Sequence, residues 1–310
     1  MFRYILKRII NSIFVLIGVV FVILSIIELA PGSPARVILG LRATPEQVEA
    51  LNVQLGYDRP FLVRFLEYIK NLFTKFDLGI SYKYSVPVRE IIQERIVPTL
   101  IIVLSAIILV TFIAIIFGSF AAKQQNKLSD KLICSVSGIL SAVPGFFLAI
   151  LLLLIFACKL KLVPVYGVKT WTGYVLPVIT VSITTSGSLV KLVRSVMLDA
   201  INQDYVRTAR AYGEKESHII AGHVLKNVMM PIVTNVGYMF AGMLGGTVII
   251  ENVFSINGLG KFIVESISTR DIPAVCGTTV VLAIIFCAVQ LIVDISYLFI
   301  DARVKAKYGI

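Results

Sequence analysis

Apolar residues in this chain gather into uninterrupted blocks separated by polar stretches. Six such blocks, over residues 9–30, 99–122, 133–157, 174–192, 231–250 and 275–300, are bounded by charged residues or by Pro and Gly. Each is close to the roughly 20 residues a helix needs to cross the hydrocarbon core of a bilayer. The pattern predicts an all-α membrane protein with six transmembrane helices. The first block follows Arg3, Lys7 and Arg8, as the apolar part of a secretory signal would. A signal's apolar region spans only about 7–15 residues, so this block is expected to persist as the first span.

The long interval after the first block, residues 31–98, carries charge of both signs and local signals of folding. Thr44-Pro45-Glu46-Gln47 places a capping hydroxyl, a proline at the first helical position and a side-chain amide at the third, which predicts a helix start with a capping box. Phe61, Phe65, Leu66, Ile69 and Phe73 then recur at helical spacing. They predict a second helix that lays an apolar face on the membrane domain.

Charge decides orientation. Short polar segments on one side hold Arg3, Lys7 and Arg8, then Lys123, Lys127 and Lys131, then Lys191, Arg194, Arg207, Arg210, Lys215 and Lys226, then Arg303, Lys305 and Lys307. The opposite short loops hold only Lys159, Lys161, Lys169, Lys261 and Arg270. Cytoplasmic loops are enriched in Lys and Arg, so both termini are expected in the cytoplasm and residues 31–98 outside it. Composition agrees, since 57% of the 310 residues are hydrophobic and 15% charged, which fits no ordinary soluble surface. Membrane topology also accounts for the net charge of +11, and no basic cluster interleaved with aromatics points to nucleic acid. Cys134, Cys158, Cys276 and Cys287 show no C-x-x-C spacing and read as small apolar residues.

Candidate chemistry is sparse. The block at 174–192 carries Ser182, Thr184, Thr185, Ser186 and Ser188, hydroxyls that either line a route or join helices. Asp294 lies in the last block, either on a pathway or paired near the cytoplasmic boundary with Arg303 or a neighbouring helix. Glu28 and Glu251 end the first and fifth spans, where they mark the lipid boundary or meet a cationic substrate group or a binding protein. The histidines, His218 and His223, both lie outside the blocks, so no Ser-His pair is available for intramembrane proteolysis. They are five residues apart, off the spacing of three or four that brings ligands to one helical face, and read as helix-surface residues. No metal or cofactor site is expected. Gly258-Leu259-Gly260-Lys261 lacks the upstream Gly and the following Ser or Thr of a P-loop, so any ATP must be hydrolysed by another chain.

The segment 204–231 is the most informative. Asp204-Tyr205-Val206-Arg207-Thr208-Ala209-Arg210-Ala211-Tyr212-Gly213 predicts a short helix closed by a glycine, Glu214 to Ser217 begins another, and Pro231 opens an apolar run. This stretch resembles the cytoplasmic coupling motif of bacterial binding-protein-dependent ABC permeases of the dipeptide, oligopeptide and nickel branch. The family pattern D-Y-V-R-T-A-R-A-K-G, then H-x-L-R-N and a proline, is matched at Asp204 to Ala211, Gly213, His223, Leu225, Asn227 and Pro231. Tyr212 stands in place of Lys and Lys226 in place of Arg. Further similarity lies in Pro31-Gly32-Ser33-Pro34, Leu55 to Pro60, Asp77 to Ser81, Pro87-Val88, Val143 to Phe147, Glu251 to Phe254, Gly258 to Gly260, Asp294 and Asp301 to Val304. Here Ser33, Asn257 and Ala302 replace the usual Asp, Pro and Pro.

The resemblance implies a type I ABC importer permease fold with an extracytoplasmic insertion after helix 1. It would divide as an N-terminal helix (1–30), an extracytoplasmic folded segment (31–94), a five-helix permease core (95–301) with a cytoplasmic coupling loop (193–230), and a cytoplasmic tail (302–310). Asp204, Tyr205, Arg207, Thr208, Ala209, Ala211, Gly213 and Pro231 would couple it to an ATPase. Ser182, Thr185, Ser186 and Asp294 remain pathway or structural polar residues. The implied partners are a second homologous permease subunit, two ABC ATPase subunits, an extracytoplasmic solute-binding protein and membrane lipid, in the bacterial cytoplasmic membrane. Such a chain is not itself an enzyme. Its expected cargo is a peptide, with nickel or another metal chelate as the alternative and a proton-coupled carrier as a further one.

Overall fold

The computed structural model of the chain describes residues 2–29, 34–40, 42–168 and 170–300. The motif at 30–33 and the terminal one at 301–304 lie outside these residues. Among the described residues, regular structure is helical, and the one β feature is an isolated bridge between Ile80 and Pro87. Five helices, Ile5–Leu29, Val88–Lys123, Trp171–Ile201, Glu216–Val253 and Ile272–Tyr297, are long and apolar enough to cross a membrane. The pair Leu128–Ala142 and Gly145–Lys159, bent by 93° at its break, is apolar enough to make a sixth when counted as one span.

The bend corrects the reading of block 133–157 as one helix. Pro144 has no N–H to give to the preceding turn and biases the residue before it away from helical geometry. Val143 is accordingly extended, at φ −72° and ψ 124°. Two other prolines were expected at helix boundaries and lie inside helices instead: Pro98 in α5 (Val88–Lys123) and Pro231 in α11 (Leu225–Val253). Membrane helices accommodate proline because neighbouring groups satisfy the carbonyls it leaves free.

The chain forms two compact units, divided inside helices at Pro98 and Val289 and in the loop after Ile256. One unit comprises residues 2–97 and 257–288. It contains α1 (Phe2–Leu29), α2 (Pro34–Leu39), α3 (Pro45–Gln54), α4 (Phe61–Lys75), the start of α5, α12 (Leu259–Ser268) and the first part of α13 (Ile272–Ile300). The capping box forms as expected: Thr44 Oγ1 accepts from the Gln47 N–H at 3.4 Å, and Gln47 Oε1 accepts from the Thr44 N–H at 3.0 Å. In α4, Leu72 is buried, and Phe65, Tyr68 and Ile69 pack with it against a core containing Val20, Val88 and Phe262. Leu66 and Phe73 point away from that core and are exposed, so the apolar face is rotated from the expected one. Glu28, at the end of α1, pairs with Arg64 of α4 at 2.5 Å.

Asp271, fully buried ahead of α13, pins this unit together. Its carboxylate accepts from the Ser81 hydroxyl, from the Lys83 N–H at 3.2 Å and from the Ala274 N–H at 3.3 Å. It thereby caps α13 and holds the turn at 81–84. Gly79 and Gly277 leave the room this requires: a Cβ on Gly79 would lie 3.0 Å from Pro273, and one on Gly277 2.9 Å from Val88.

The other unit spans residues 98–256 and the end of α13. It holds the rest of α5, α6 (Leu128–Ala142), α7 (Gly145–Leu152) with a π-helical extension Leu153–Lys159, α8 (Val175–Ile201), α9 (Asp204–Ala211), α10 (Glu216–His218), a π-helical segment Ile219–Val224, and α11. Helix α8 is its hub and touches α6, α7 and α11. The approach to α6 is close because Gly187 has no side chain; a Cβ there would fall 2.1 Å from the Ser137 carbonyl oxygen. Gly118 plays the same part between α5 and α8, where a Cβ would meet Val193 at 2.7 Å. Small residues at helix contacts are how membrane helices gain packing where burial from water is not available.

Candidate functional site

The segment joining α8 to α11 is a rigid helical corner. Val206 and Ala209, three apart on α9, are buried, and α9 packs on the π-helical segment Ile219–Val224. The turn after α9 follows from Gly213. Its φ of +77° lies in the left-handed region that glycine adopts without a Cβ penalty. The Gly213 N–H donates to the Arg210 carbonyl at 3.0 Å and the Glu214 N–H to the Ala209 carbonyl at 3.2 Å. That pair is a Schellman motif, which satisfies carbonyls the helix end would otherwise leave unpaired.

Two side-chain locks brace the corner. Arg210 Nε and Nη2 reach the two Glu216 carboxylate oxygens at 3.1 and 2.7 Å, a bidentate fork across the turn. Both groups are over two-fifths exposed, so the fork contributes orientation more than stability. Glu214 Oε2 bonds to His218 Nδ1 at 2.9 Å and to His223 Nε2 at 3.0 Å. Hydrogen bonds from His218 and then His223 hold the Glu214 carboxyl below the usual carboxylate range.

The two histidines lie at the helix surface as expected, but this geometry corrects the expectation that a spacing of five keeps them off one face. A spacing of five misses a shared face only where the turn holds 3.6 residues; the i→i+5 pattern of a π-helix widens it. Residues 219–224 are π-helical, and the two imidazoles stand edge to face with centroids 5.5 Å apart.

The expected coupling residues fall into two groups. Asp204, Tyr205, Arg207, Thr208, Ala211 and Gly213 are solvent-exposed, as is Tyr212, at 83%. Ala209 instead faces inward at 8%, so its small side chain serves the seat of α9. Pro231 sits two turns into α11, away from the corner.

The expected polar residues of α8 are occupied locally. Thr185 Oγ1 donates to the Val181 carbonyl at 2.6 Å, Ser186 Oγ to the Ile183 carbonyl at 3.0 Å, and buried Ser182 faces the Ala106 carbonyl of α5 at 3.5 Å. Only Ser182 reaches another helix; Thr185 and Ser186 bond within α8. Asp294 is buried in α13. Glu251, expected at the lipid boundary, is fully buried and accepts from the Thr99 hydroxyl at 2.6 Å.

One pair escaped the sequence reading. Arg194 Nε and Nη2 grip Asp130 at 2.5 and 2.7 Å and tie α8 to α6; the Asp130 side chain is only 3% exposed. Asp130 also accepts from the Asn126 N–H at 2.9 Å, which closes the turn ahead of α6. The available signal was the opposite charge of these two residues at the edges of adjacent apolar blocks.

The corner between α8 and α11 lies within a region matching the family model of the binding-protein-dependent transport system inner membrane component, over residues 114–306. Residues 1–103 match the model of that family's N-terminal part. The chain belongs to this permease family.

A Brucella abortus (strain 2308) protein, provisionally named a peptide transport system permease protein, is 36% identical to this permease over 97% of this chain and 98% of its own length. A glutathione transport system permease protein of Escherichia coli O6:H1 is 33% identical over 99% and 100%. A solved structure of the MetNI methionine ABC transporter, described as inward facing, superposes with a TM-score of 0.58 at 14% identity, covering 68% of this permease and 96% of that chain. That likeness shows the fold of an ABC importer permease. Five or six apolar spans place the permease in the inner membrane as a multi-pass protein.

Proposed function

We propose that this permease is one membrane-spanning half of an ATP-driven importer of peptides. The observation that carries the reading is its match, from end to end and at about one third identity, to permeases named for peptide and glutathione transport. Those names favour peptide over nickel or another metal chelate as the cargo. The chain contains no P-loop, so the work of ATP hydrolysis belongs to separate subunits. The reading includes a second homologous permease, two ATPase subunits and an extracytoplasmic binding protein, with both termini cytoplasmic.

The exposed face of α9, with Tyr205, Arg207, Thr208, Ala211 and Tyr212, is the surface an ATPase would grip. A short helix braced by a Schellman turn and the Arg210–Glu216 fork can pass a rigid-body displacement to α8 and α11, and alternating access requires such a displacement. Uptake of a radiolabelled di- or tripeptide by cells carrying the permease tests the assignment. Uptake is expected to survive collapse of the proton gradient and to stop when ATP is depleted. Uptake that follows the proton gradient overturns the energy source. Uptake of a nickel chelate in place of peptide overturns the cargo.

A further inference from the structure

Glu214, His218 and His223 converge on one point at the cytoplasmic corner. We infer that these three side chains form a binding site for a divalent transition-metal ion of borderline softness, Zn2+ foremost. Their nearest donor atoms, Glu214 Oε2, His218 Nδ1 and His223 Nε2, all lie within 4.8 Å of one another. The two nitrogen–oxygen separations are 2.9 and 3.0 Å. Donors about 2.0–2.2 Å from a tetrahedral Zn2+ sit roughly 3.3 Å apart, so the two nitrogen–oxygen pairs need to open by only about 0.3–0.4 Å, and rotation of the exposed rings sets the nitrogen–nitrogen distance.

The backbone brings the set together and leaves it free to adjust. Glu214 directly follows the left-handed Gly213, and the π-helical segment turns His218 and His223 to one side. Gly222 lies on that side, where even a Cβ would make only ordinary contact with His218 Nε2, at 3.5 Å. Glu214 and His218 are exposed and His223 is half-buried, so an ion has access and the ligands can reorient without disturbing a core. Two imidazoles and one carboxylate suit Zn2+, Cu2+ or Ni2+, and disfavour Mg2+ and Ca2+, which prefer all-oxygen sets. Three protein ligands leave a fourth position for water or a further donor. Each ring bonds the metal through the nitrogen now facing Glu214 and carries its proton on the other nitrogen.

The site goes beyond the transport reading and stands without it, because it is defined by binding alone. The chain has two histidines in all, so every imidazole belongs to the site. The test uses the full-length permease in detergent, purified without a polyhistidine tag and freed of metal by chelator. Co2+ is the spectroscopic probe, and Zn2+ is the competitor. The expected result is one Co2+ per chain, with the ligand-field bands of a nitrogen and oxygen set, displaced by Zn2+. His218→Ala and Glu214→Gln should each weaken binding by at least about tenfold. Zn2+ should raise the melting temperature of the wild-type chain, as any ligand specific to the folded state does, and leave that of His218→Ala unmoved. Absence of stoichiometric binding overturns the inference. So does binding that His218→Ala leaves unchanged, or a thiolate charge-transfer band, which would assign the ion to cysteine.

Discussion

The contact between α6 and α8 can be broken by one methyl group. A Cβ at position 187 would stand 2.1 Å from the Ser137 carbonyl oxygen and 2.3 Å from Ser141 Oγ, whereas carbon–oxygen contacts normally settle near ~3.3 Å. Serine 141 can rotate away, but the carbonyl is backbone, so the helices must separate by roughly 1 Å over the contact. Overpacking of this kind costs about 1–3 kcal/mol, offset by about 1 kcal/mol of better helix propensity for Ala over Gly. Gly187→Ala should therefore be destabilised by up to ~2 kcal/mol. At about 2 °C per kcal/mol for a chain of this size, that is a fall of a few degrees in melting temperature, read as loss of the monodisperse peak after heating in detergent. Gly245→Ala is the control, because nothing lies within 4 Å of its Cβ position in α11; only propensity acts there, and the variant should melt with the wild type or slightly above it. A Gly187→Ala variant as stable as Gly245→Ala would refute the close approach of α6 and α8.

Three further changes probe the rest of the chain. Removing one partner of a buried ion pair costs about 3–5 kcal/mol, while replacing both with apolar groups costs less; Asp130→Leu and Arg194→Met should each reduce the folded yield, and the double variant should recover part of it. Asp271→Ala should free the turn at 81–84, seen as faster tryptic cleavage after Lys83 in spheroplasts; unchanged cleavage counts against the anchor. Gly213→Arg forces a left-handed φ on a side chain, at about 1–2 kcal/mol, yet its Cβ meets no atom within 4 Å. It should insert normally and hydrolyse ATP with its partners while peptide uptake collapses; unchanged uptake counts against the coupling role of this corner.

The parts of this fold that were legible in the sequence are those fixed by local chemistry or by gross composition. Blocks of apolar residues locate the spans because the bilayer imposes a length, and the capping box at Thr44 forms because its bonds close within four residues. Helix ends were less legible. Helix α5 begins at Val88, well before the apolar block, since Arg89, Glu90 and Arg95 are good helix residues once clear of lipid. Pro98 and Pro231 mark no boundary, because a packed membrane helix tolerates the carbonyl each one frees. Buried polar pairs such as Thr99 with Glu251, 152 residues apart, carry no local signal at all.

The corner between α8 and α11 shows why spacing reaches its limit where the helix type changes. A spacing of five excludes a shared face only if the helix type is already known, and the helix type here changes within the segment being read. The single wider stretch at 219–224 brings His223 back beside His218 and lets both address Glu214, one residue past the left-handed glycine. Arg210 and Glu216 close the same turn from its other side. The Arg210–Glu216 fork straddles Gly213 and the Glu214 set fastens the segment just past it, so the corner resists bending at the one position where its backbone could most easily hinge. Under the proposed coupling, a displacement applied to α9 would be carried into α8 and α11 instead of being absorbed by the turn, and Glu214→Ala should then lower peptide uptake per ATP hydrolysed even with the exposed face of α9 intact; an unchanged ratio counts against this bracing role.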